Sequence, residues 1–313
     1  MTDWWWLILV LIVLFYEAFA YLIYQKTFRL DPTKDYRVVN QQDPLFLPSY
    51  TWFQKAPHEE VTIKSYDGVT LRGVFLPSQD DTSKNLAIVD HGYKACGEDM
   101  ILIAEMYNNL GFKVLLINHR GHGGSGGAFT TLGHHEKYDL KKWIEFALRT
   151  YGSTDQILLH GVSIGAATIM MTSALRIPSN VRYLVLDSGF SSLHQMLAVN
   201  IRPKWFKIFL PGVNVYTYFF HKFFLPVVSP LTAIRKSKIP MLIIHGEKDE
   251  MVPFEMGKKL YETSKAPYKE FYPIPECPHG FGFRLDKPGL ERFLREQLPQ
   301  FFDIPKSYMK TKK

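Results

Sequence analysis

Cysteine is scarce in this 313-residue chain, in which Cys96 and Cys277 are the only two. Two cysteines cannot build a disulfide framework, and they do not restrict the chain to either side of a membrane. No group of cysteines and histidines has the spacing of a zinc site, and no phosphate-binding G-x-x-x-x-G-K-[ST] loop occurs. The glycine-rich stretch 121–127 does not open a dinucleotide-binding helix. The sequence therefore implies neither a metal nor a cofactor.

Acidic residues are outnumbered, 30 against 37 lysines and arginines, so the formal net charge is +7. Excess positive charge can indicate nucleic-acid binding, but here no recognition motif accompanies it. We therefore do not expect nucleic acid as a partner.

Long apolar runs are missing except at the amino terminus. Residues Trp4 to Tyr24 are apolar apart from Glu17, and as a helix they would span about 31 Å, close to the hydrocarbon thickness of a bilayer. Trp4–Trp6 at one end and Tyr21 and Tyr24 at the other suit the two membrane interfaces. We predict a single-pass membrane anchor over residues 1–25.

Two other interpretations of this segment are open. The triplet Ala18-Phe19-Ala20 resembles a signal-peptide cleavage site, but the basic start of a signal peptide is missing, because Asp3 is the only charged side chain before the run. A buried core helix is disfavoured because an all-round apolar helix at the terminus has no evident partner. Four basic residues follow the segment: Lys26, Arg29, Lys34 and Arg37. The positive-inside tendency then places the rest of the chain in the cytoplasm.

Residues 26–58 contain four prolines and predict an extended juxtamembrane connector. The domain that follows is predicted over residues 59–303, and residues 304–313 form a basic tail.

Strand and helix patterns alternate through this domain. The turn Asp67-Gly68 separates Val61–Tyr66 from Val69–Leu76, two alternating segments that predict an antiparallel hairpin. Apolar runs predict further strands over 86–89, 112–117, 181–186, 240–245 and 269–274, and a short strand from Ile157 that runs into a pentapeptide beginning at Gly161. Helical patterns occupy about 99–110, 134–151, 254–264 and 288–298, with one more after Ser163. This alternation predicts an α/β fold with a mainly parallel sheet covered by helices on both faces.

The stretch Ile157–Ala167 contains a G-x-S-x-G pentapeptide between an apolar run and a series of small helix formers. A strand, a pentapeptide of this form and a helix are the layout of a nucleophile elbow. The glycines two residues on either side of Ser163 let the helix close against the strand, because a Cβ there would obstruct it. Ile164 begins the helix, so its N–H is an unpaired first-turn donor that can face an oxyanion. The pentapeptide also occurs in ordinary Gly/Ser loops, so the surrounding sequence must show whether it forms a nucleophile elbow.

Over about Glu59–Phe302 the chain resembles the α/β-hydrolase superfamily, because several motifs occur in the required order. His91-Gly92 follows the third strand, Arg120–Gly123 the fourth and the elbow the fifth, with an acid after a late strand and a histidine after the last. It looks most like the serine aminopeptidase-like and BEM46-like esterase branch. Those relatives often carry an acid where this chain has Asn118, in a loop whose role is mainly structural.

A serine hydroxyl needs a base within hydrogen-bond reach, and the base needs an acid that orients it. The chain order in this fold is Ser, acid, His. The resemblance gives the acid role to Asp249, with Glu247 and Glu250 beside it and Asp187 as the alternative. The base is His279, the only histidine late enough and in a tight Gly/Pro-bounded turn.

The second oxyanion donor is expected to be the backbone N–H of Tyr93, because Gly92 lets that backbone turn towards Ser163. We expect the earlier histidines to pack or form hydrogen bonds rather than to catalyse: His91, His119, His122 and His160.

An insertion of about residues 191–237 separates two of the predicted strands and predicts a helical cap over the site. It contains no Asp or Glu, and nine aromatic residues occur in it: Trp205, Phe206, Phe209, Tyr216, Tyr218, Phe219, Phe220, Phe223 and Phe224. Two interpretations are open. The aromatics either line an apolar acyl pocket beneath a cationic lid that meets anionic groups, or form the core of the cap with its lysines in solvent.

Together these features predict a membrane-anchored serine hydrolase that cleaves carboxylic esters through an acyl-enzyme on Ser163. Its substrate would be a small acyl ester or a lipid-like molecule, and residues 4–24 would hold it to the membrane. A thioesterase or an aminopeptidase shares the same triad. A non-catalytic anchored scaffold is the alternative from another class.

Overall fold

A computed structural model describes residues 4–31, 34, 36–37 and 43–309. Asp3, Pro32 and residues 310–313 of the predicted basic tail lie outside the described residues. The strands are β1 Glu59–Lys64, β2 Thr70–Leu76, β3 Asn85–Asp90, β4 Lys113–Ile117, β5 Gln156–Val162, β6 Val181–Asp187, β7 Met241–Gly246 and β8 Lys269–Ile274. They form one sheet in the order β1-β2-β4-β3-β5-β6-β7-β8. β2 pairs antiparallel with β1 and β4, and all other pairs are parallel.

The helices in the described residues are α1 Trp5–Phe28, α2 Leu47–Lys55, α3 Ile101–Asn109, α4 Glu136–Thr150, α5 Ile164–Ser173, α6 Leu193–Asn200, α7 Leu210–His221, α8 Pro230–Ile234, α9 Phe254–Thr263, α10 Gly282–Leu285, α11 Lys287–Gln297 and α12 Lys306–Met309. Helices α2, α3 and α11 cover one face of the sheet, and α4, α5 and α9 cover the other. The mainly parallel α/β sheet predicted from the alternation is confirmed, and so is the α/β-hydrolase fold that the resemblance implied.

The predicted strands are confirmed, and the burial of their residues explains the sequence pattern that indicated them. Every residue of β3 and β7 is buried, as expected for parallel strands covered on both faces, which therefore read as continuous apolar runs. The predicted hairpin is also present, with Gly68 in its turn at φ +87°. The helix predicted from residue 99 is different at its start, where a 3₁₀ turn at Gly97–Met100 precedes α3.

The described part of residues 26–58 contains helical stretches where an extended connector was predicted. Helix α1 continues to Phe28, and α2 occupies Leu47–Lys55. Phe46 and Phe53 are buried against α3 in the main core. The prolines misled the prediction, because Pro48 lies in the first turn of α2, where proline begins a helix rather than preventing one.

Helix α1 is the one helix in the described part of the chain that is long and apolar enough to cross a bilayer. Its first half is exposed, but its second half packs on the cap, so that Ala20, Tyr24 and Phe28 are fully buried. Tyr24 and Phe28 belong to a third core cluster together with the cap and with loops of the main domain. The second half of the predicted anchor is therefore part of the folded body.

The cap lies between β6 and β7, as predicted. It consists of α6, a 3₁₀ segment at Lys204–Phe209, α7, a 3₁₀ turn at Leu225–Val227 and α8.

Candidate active site

Ser163 lies between β5 and α5 with a backbone φ of +57°. A positive φ is uncommon for a residue other than glycine and stores strain. Its backbone N–H donates to Asp187 O at 2.8 Å, which ties the turn to the adjacent strand. The side chain is thereby presented above the carboxyl edge of the sheet.

The glycines of the pentapeptide have the steric role that the sequence indicated. A Cβ on Gly161 would lie 2.4 Å from the carbonyl carbon of Gly165, and a Cβ on Gly165 would lie 2.4 Å from Asp90 O. Both contacts are with backbone atoms and cannot relax cheaply. Glycine is therefore required at both positions for α5 to approach β3 and β5.

Three predicted site residues come together at this edge. His279 Nε2 lies 2.8 Å from Ser163 Oγ, and His279 Nδ1 lies 2.7 Å from Asp249 Oδ2. With Nδ1 protonated, the imidazole donates to the carboxylate and its Nε2 accepts from the serine hydroxyl. This is the hydrogen-bond order of a catalytic triad.

The carboxylate of Asp249 is buried and accepts hydrogen bonds from the backbone as well as from His279. Its Oδ1 accepts from the N–H groups of Met251 at 3.0 Å and Val252 at 2.7 Å. His245 Nε2 is 3.5 Å from Oδ2 but donates to Val252 O at 2.8 Å. Burial lowers the pKa of His245, which disfavours a second positive charge beside Asp249.

The other candidate acids are placed differently. Glu247 and Glu250 are exposed. Asp187 is buried, and its Oδ1 accepts from Ser188 Oγ at 2.8 Å, while Ser188 Oγ accepts from the Gly280 N–H at 3.2 Å. Burial raises the pKa of Asp187 to about 6. Asp187 therefore supports the loop that carries His279 through Ser188 rather than contacting the imidazole.

The two predicted oxyanion donors lie on either side of the serine. A Cβ on Gly92 would lie 3.6 Å from Ser163 Cβ, so the Tyr93 loop closely approaches the nucleophile. In the described part of the chain, neither the Tyr93 N–H nor the Ile164 N–H donates a hydrogen bond to another residue. Both residues line the same cavity as Ser163. Both N–H groups are thus free to bind an oxygen.

The earlier histidines form hydrogen bonds or pack, as predicted, and they fix the Tyr93 loop. His91 Nδ1 donates to Gly92 O at 2.7 Å, and His91 Nε2 accepts from the His119 N–H at 3.1 Å. His122 Nε2 accepts from the Lys94 N–H at 3.2 Å. On the other face of the sheet, Tyr107 Oη and His160 Nδ1 share a hydrogen bond of 2.9 Å.

One buried ion pair beneath this loop was not predicted from the sequence. His119 Nε2 lies 2.9 Å from Asp90 Oδ1, and both side chains are almost fully buried. Burial would lower the pKa of His119, but the Asp90 carboxylate outweighs it and the pKa is raised. The only signal in the sequence was an acid directly after a buried strand and directly before His91-Gly92.

Ser163 and His279 open into a cavity of about 580 Å³. Its wall is mainly apolar and includes Leu132, Phe190 and Leu197. Helix α1 supplies a further part of the wall: Phe19, Leu22, Ile23, Lys26 and Thr27. A cavity of this size and lining suits an acyl chain.

Both interpretations of the cap aromatics are partly correct. Phe206 lines the cavity, whereas Phe209 and Phe223 are buried within the cap and against α1. Five others are exposed and belong to neither group: Trp205, Tyr218, Phe219, Phe220 and Phe224.

Comparison with known proteins agrees with the architecture. A model of the prolyl oligopeptidase family matches residues 100–280. The uncharacterized protein YqkD of Bacillus subtilis is 26% identical over 256 residues, which are 80% of this chain and 82% of YqkD. Protein bem46 of Schizosaccharomyces pombe is 26% identical over 226 residues, 71% of each chain. The structure of the Pyrococcus furiosus esterase Pf2001 superposes with a TM-score of 0.67 at 24% identity, over 85% of this chain and 98% of the esterase. The resemblance to the α/β-hydrolase superfamily and its BEM46-like branch is confirmed.

Proposed function

This chain belongs to the prolyl oligopeptidase family, and on that premise we propose that it is a membrane-anchored serine hydrolase that cleaves carboxylic esters through an acyl-enzyme on Ser163. The observation that carries the proposal is the hydrogen-bonded series Ser163 Oγ, His279 and Asp249, with distances of 2.8 Å and 2.7 Å. The exposed apolar half of α1 supports the membrane anchor. The cytoplasmic location of the domain stays a prediction.

In the first half-reaction, Ser163 Oγ attacks the ester carbonyl carbon while His279 Nε2 takes the hydroxyl proton. Asp249 holds the Nδ1–H and stabilises the imidazolium that forms. The N–H groups of Tyr93 and Ile164 donate to the developing oxyanion. His279 then returns the proton to the leaving alcohol, which leaves the acyl group on Ser163.

In the second half-reaction, water replaces the alcohol. His279 takes a proton from the water as its oxygen attacks the acyl carbonyl, and the proton passes to Ser163 Oγ as the carboxylic acid leaves. The same two N–H groups bind the second oxyanion. The triad is then restored.

The cavity favours an acyl ester over a peptide amino terminus. None of the described residues that line it is acidic, and three are basic: Lys26, Lys94 and Arg202. A free α-ammonium group would find no carboxylate there and would be repelled by the three cations. An apolar acyl chain finds a matching wall. This argues against the aminopeptidase alternative, whereas a thioesterase would use the same pocket.

A fluorophosphonate probe tests the nucleophile. We expect covalent labelling of the full-length protein, loss of labelling in Ser163→Ala, and retained labelling in the matched variant Ser192→Ala. Labelling that persists in Ser163→Ala would identify another nucleophile. Failure of the parent protein to label would favour the non-catalytic scaffold.

A matched substrate series tests the bond that is cleaved. The butyryl oxygen ester, thioester and anilide of one acyl group should be compared by kcat/KM on the same preparation. We expect the oxygen ester to be the best substrate and the anilide the poorest. A higher kcat/KM for the thioester would assign thioesterase activity instead.

A further inference from the structure

Only the first half of α1 is free of the rest of the protein. In the described chain no residue from Trp4 to Phe15 is buried, and contact with the cap begins at Tyr16, whose hydroxyl donates to Ile208 O at 2.9 Å. The eleven helical residues Trp5–Phe15 span about 17 Å, whereas the hydrocarbon layer is about 30 Å thick. If α1 crosses the bilayer, the residues that pack on the cap must also lie in the hydrocarbon.

The cap would lie at the same depth in the membrane as the second half of α1, because α7 runs beside α1 in the same direction. The ring of Tyr16 lies 5.2 Å from that of Phe209, and the ring of Tyr24 lies 5.5 Å from that of Phe220. Gly212 brings the helices together, since a Cβ there would lie 2.6 Å from Ala20 Cβ. The start of α7 is therefore deepest in the membrane, and its end lies near the interface.

The outer side of the cap is suited to lipid. Ile208, Val215 and Phe219 are 58%, 56% and 67% exposed. Val215 and Phe219 lie one turn apart on α7, on a face next to the one that contacts α1, and Ile208 lies in the 3₁₀ segment directly before this helix. This face continues the exposed apolar surface of α1. In water this continuous apolar patch would be exposed to solvent, whereas in a leaflet lipid acyl chains would cover it.

Charge on the cap also suits a lipid leaflet. The cap has no acidic residue from Ser188 to Gly246, and Lys222 is exposed at the interfacial end of α7. Its aliphatic stem can extend along apolar surface and place its charge among lipid phosphates. Lys204 and Lys207 precede the deep end of α7, and their charges limit how far that end can enter the hydrocarbon.

The cavity opens between α1 and the cap at this depth. Leu22 is 60% exposed and yet lines the cavity, as does exposed Arg202 on the opposite rim. The site end of α1 is Thr27, whose carbonyl accepts from Tyr93 Oη at 3.0 Å. The rings of Phe19 and Phe206, 5.9 Å apart, lie at the other end of this wall, so a chain that entered beside Leu22 would run past Ile23 and Thr27 towards Ser163.

We propose that the cap and the second half of α1 are immersed together in one leaflet, and that the acyl chain of a membrane lipid enters the cavity laterally between them. The occupant of the exposed cap face is thus the lipid leaflet, and the substrate is an amphipathic acyl ester already resident in it. The entry route rests on the proposed ester hydrolysis. The immersion of the cap does not.

Spin labels on the full-length protein in phosphatidylcholine vesicles test the immersion. Both native cysteines are free and buried, so single cysteines introduced as Ile208→Cys, Phe219→Cys and Thr154→Cys label selectively. Thr154 is exposed near the amino ends of the parallel strands, at the edge opposite Ser163, and is the aqueous control. We expect relaxation by oxygen to exceed relaxation by a water-soluble nickel chelate at residues 208 and 219, most strongly at 208, with the reverse at 154.

Hydrolysis of two esters with the same chromophore tests the entry route. One is a water-soluble butyrate, and the other is a palmitate carried in phosphatidylcholine vesicles. In Phe219→Glu we expect about tenfold slower hydrolysis of the palmitate, because a charge on the cap face opposes immersion, and butyrate hydrolysis within about twofold of the parent. The matched variant Leu285→Glu, which adds the same charge at an exposed leucine outside the cap and α1, should change neither rate.

The outcomes separate the two proposals. Failure of the parent protein to hydrolyse either ester would refute the proposed function, and the spin labels would still decide whether the cap is immersed. Aqueous behaviour at residues 208 and 219, or equal rates for Phe219→Glu and its parent on the palmitate, would overturn the lateral route. If neither relaxant reaches the labels and residue 219 cross-links two copies of the chain, the cap face is an interface between copies. This result would also overturn the lateral route.

Discussion

Two buried carboxylates follow neighbouring parallel strands, and their hydrogen-bond partners separate their roles. Asp249 follows β7 and binds the imidazole of His279. Asp187 ends β6 and binds Ser188, which in turn holds the Gly280 N–H. Sequence order and resemblance indicated Ser163, Asp249 and His279, because they lie in the loops that follow β5, β7 and β8. The roles of Ser188 and of the Asp90–His119 pair depend on contacts between distant loops, and local sequence does not encode those.

Substitution of the two carboxylates tests this division. In Asp249→Asn the imidazole loses the acceptor that sets its tautomer, so kcat for a soluble ester should fall by about 10⁴-fold. Asp187→Asn keeps an oxygen that can accept from Ser188 and should retain kcat within about tenfold. A larger loss in Asp187→Asn than in Asp249→Asn would transfer the acid role to Asp187.

Asp187 also predicts a pH dependence of stability. Burial raises its pKa from 3.8 to about 6, so the folded protein favours the protonated form. Its contribution to stability is fully present below pH 3.8 and is lost as the pH rises through about 6. Asn is neutral throughout, so Asp187→Asn should become more stable than the parent above pH 6, by at most about 3 kcal/mol.

Thermal melts of the parent and of Asp187→Asn from pH 4 to pH 8 measure this difference. The gap between their melting temperatures should be smallest at pH 4 and largest at pH 8. A gap that is constant across this range would show that Asp187 does not titrate as its burial indicates.

At the scale of elements, the strands and most helices were predictable because buried positions recur at regular spacings and require apolar residues. Helix α2, in the second half of the predicted connector, was not predictable. Phe46 and Phe53 are too few to form a clear helical period, and the prolines around them indicated a loop. The side-by-side packing of α1 and α7 was also not predicted. It depends on one small residue, Gly212, that faces Ala20 across the interface.

A double-mutant cycle tests the α1–α7 contact. Gly212→Ala brings a methyl group within 2.6 Å of Ala20 Cβ, and overpacking of this kind costs about 1–3 kcal/mol. Ala20→Gly relieves the clash, so the loss of stability in the double variant should be smaller than the sum of the two single losses. Melting in detergent provides the measurement, and additive losses would show that the helices do not meet there.

At the scale of the whole molecule, the sequence suggested an anchor, a connector and a globular domain in series. The structure instead joins the second half of α1 to the cap and the main domain through one core cluster. Tyr24 and Phe28 are fully buried in that cluster. Patterns within a segment indicated an apolar helix, but they could not indicate which distant surface would cover half of it.

Two truncations test this joining. Deletion of residues 1–15 removes only exposed helix and should leave the melting temperature within about 2 °C of the parent in detergent. Deletion of residues 1–28 also removes Tyr24 and Phe28 from the core, so the melting temperature should fall by about 10 °C. Equal melting temperatures for the two truncations would mean that α1 is only a tether.

The placement of Phe19, Leu22 and Ile23 in the wall of the cavity has a consequence for how such a molecule could be switched off. A cut just after Phe28 would leave α1 bound to the cap through its buried residues, so the cavity would keep its wall until the helix was withdrawn. Withdrawal of the helix would then remove the surface against which a long chain is held, although Ser163, His279 and Asp249 would all remain in place.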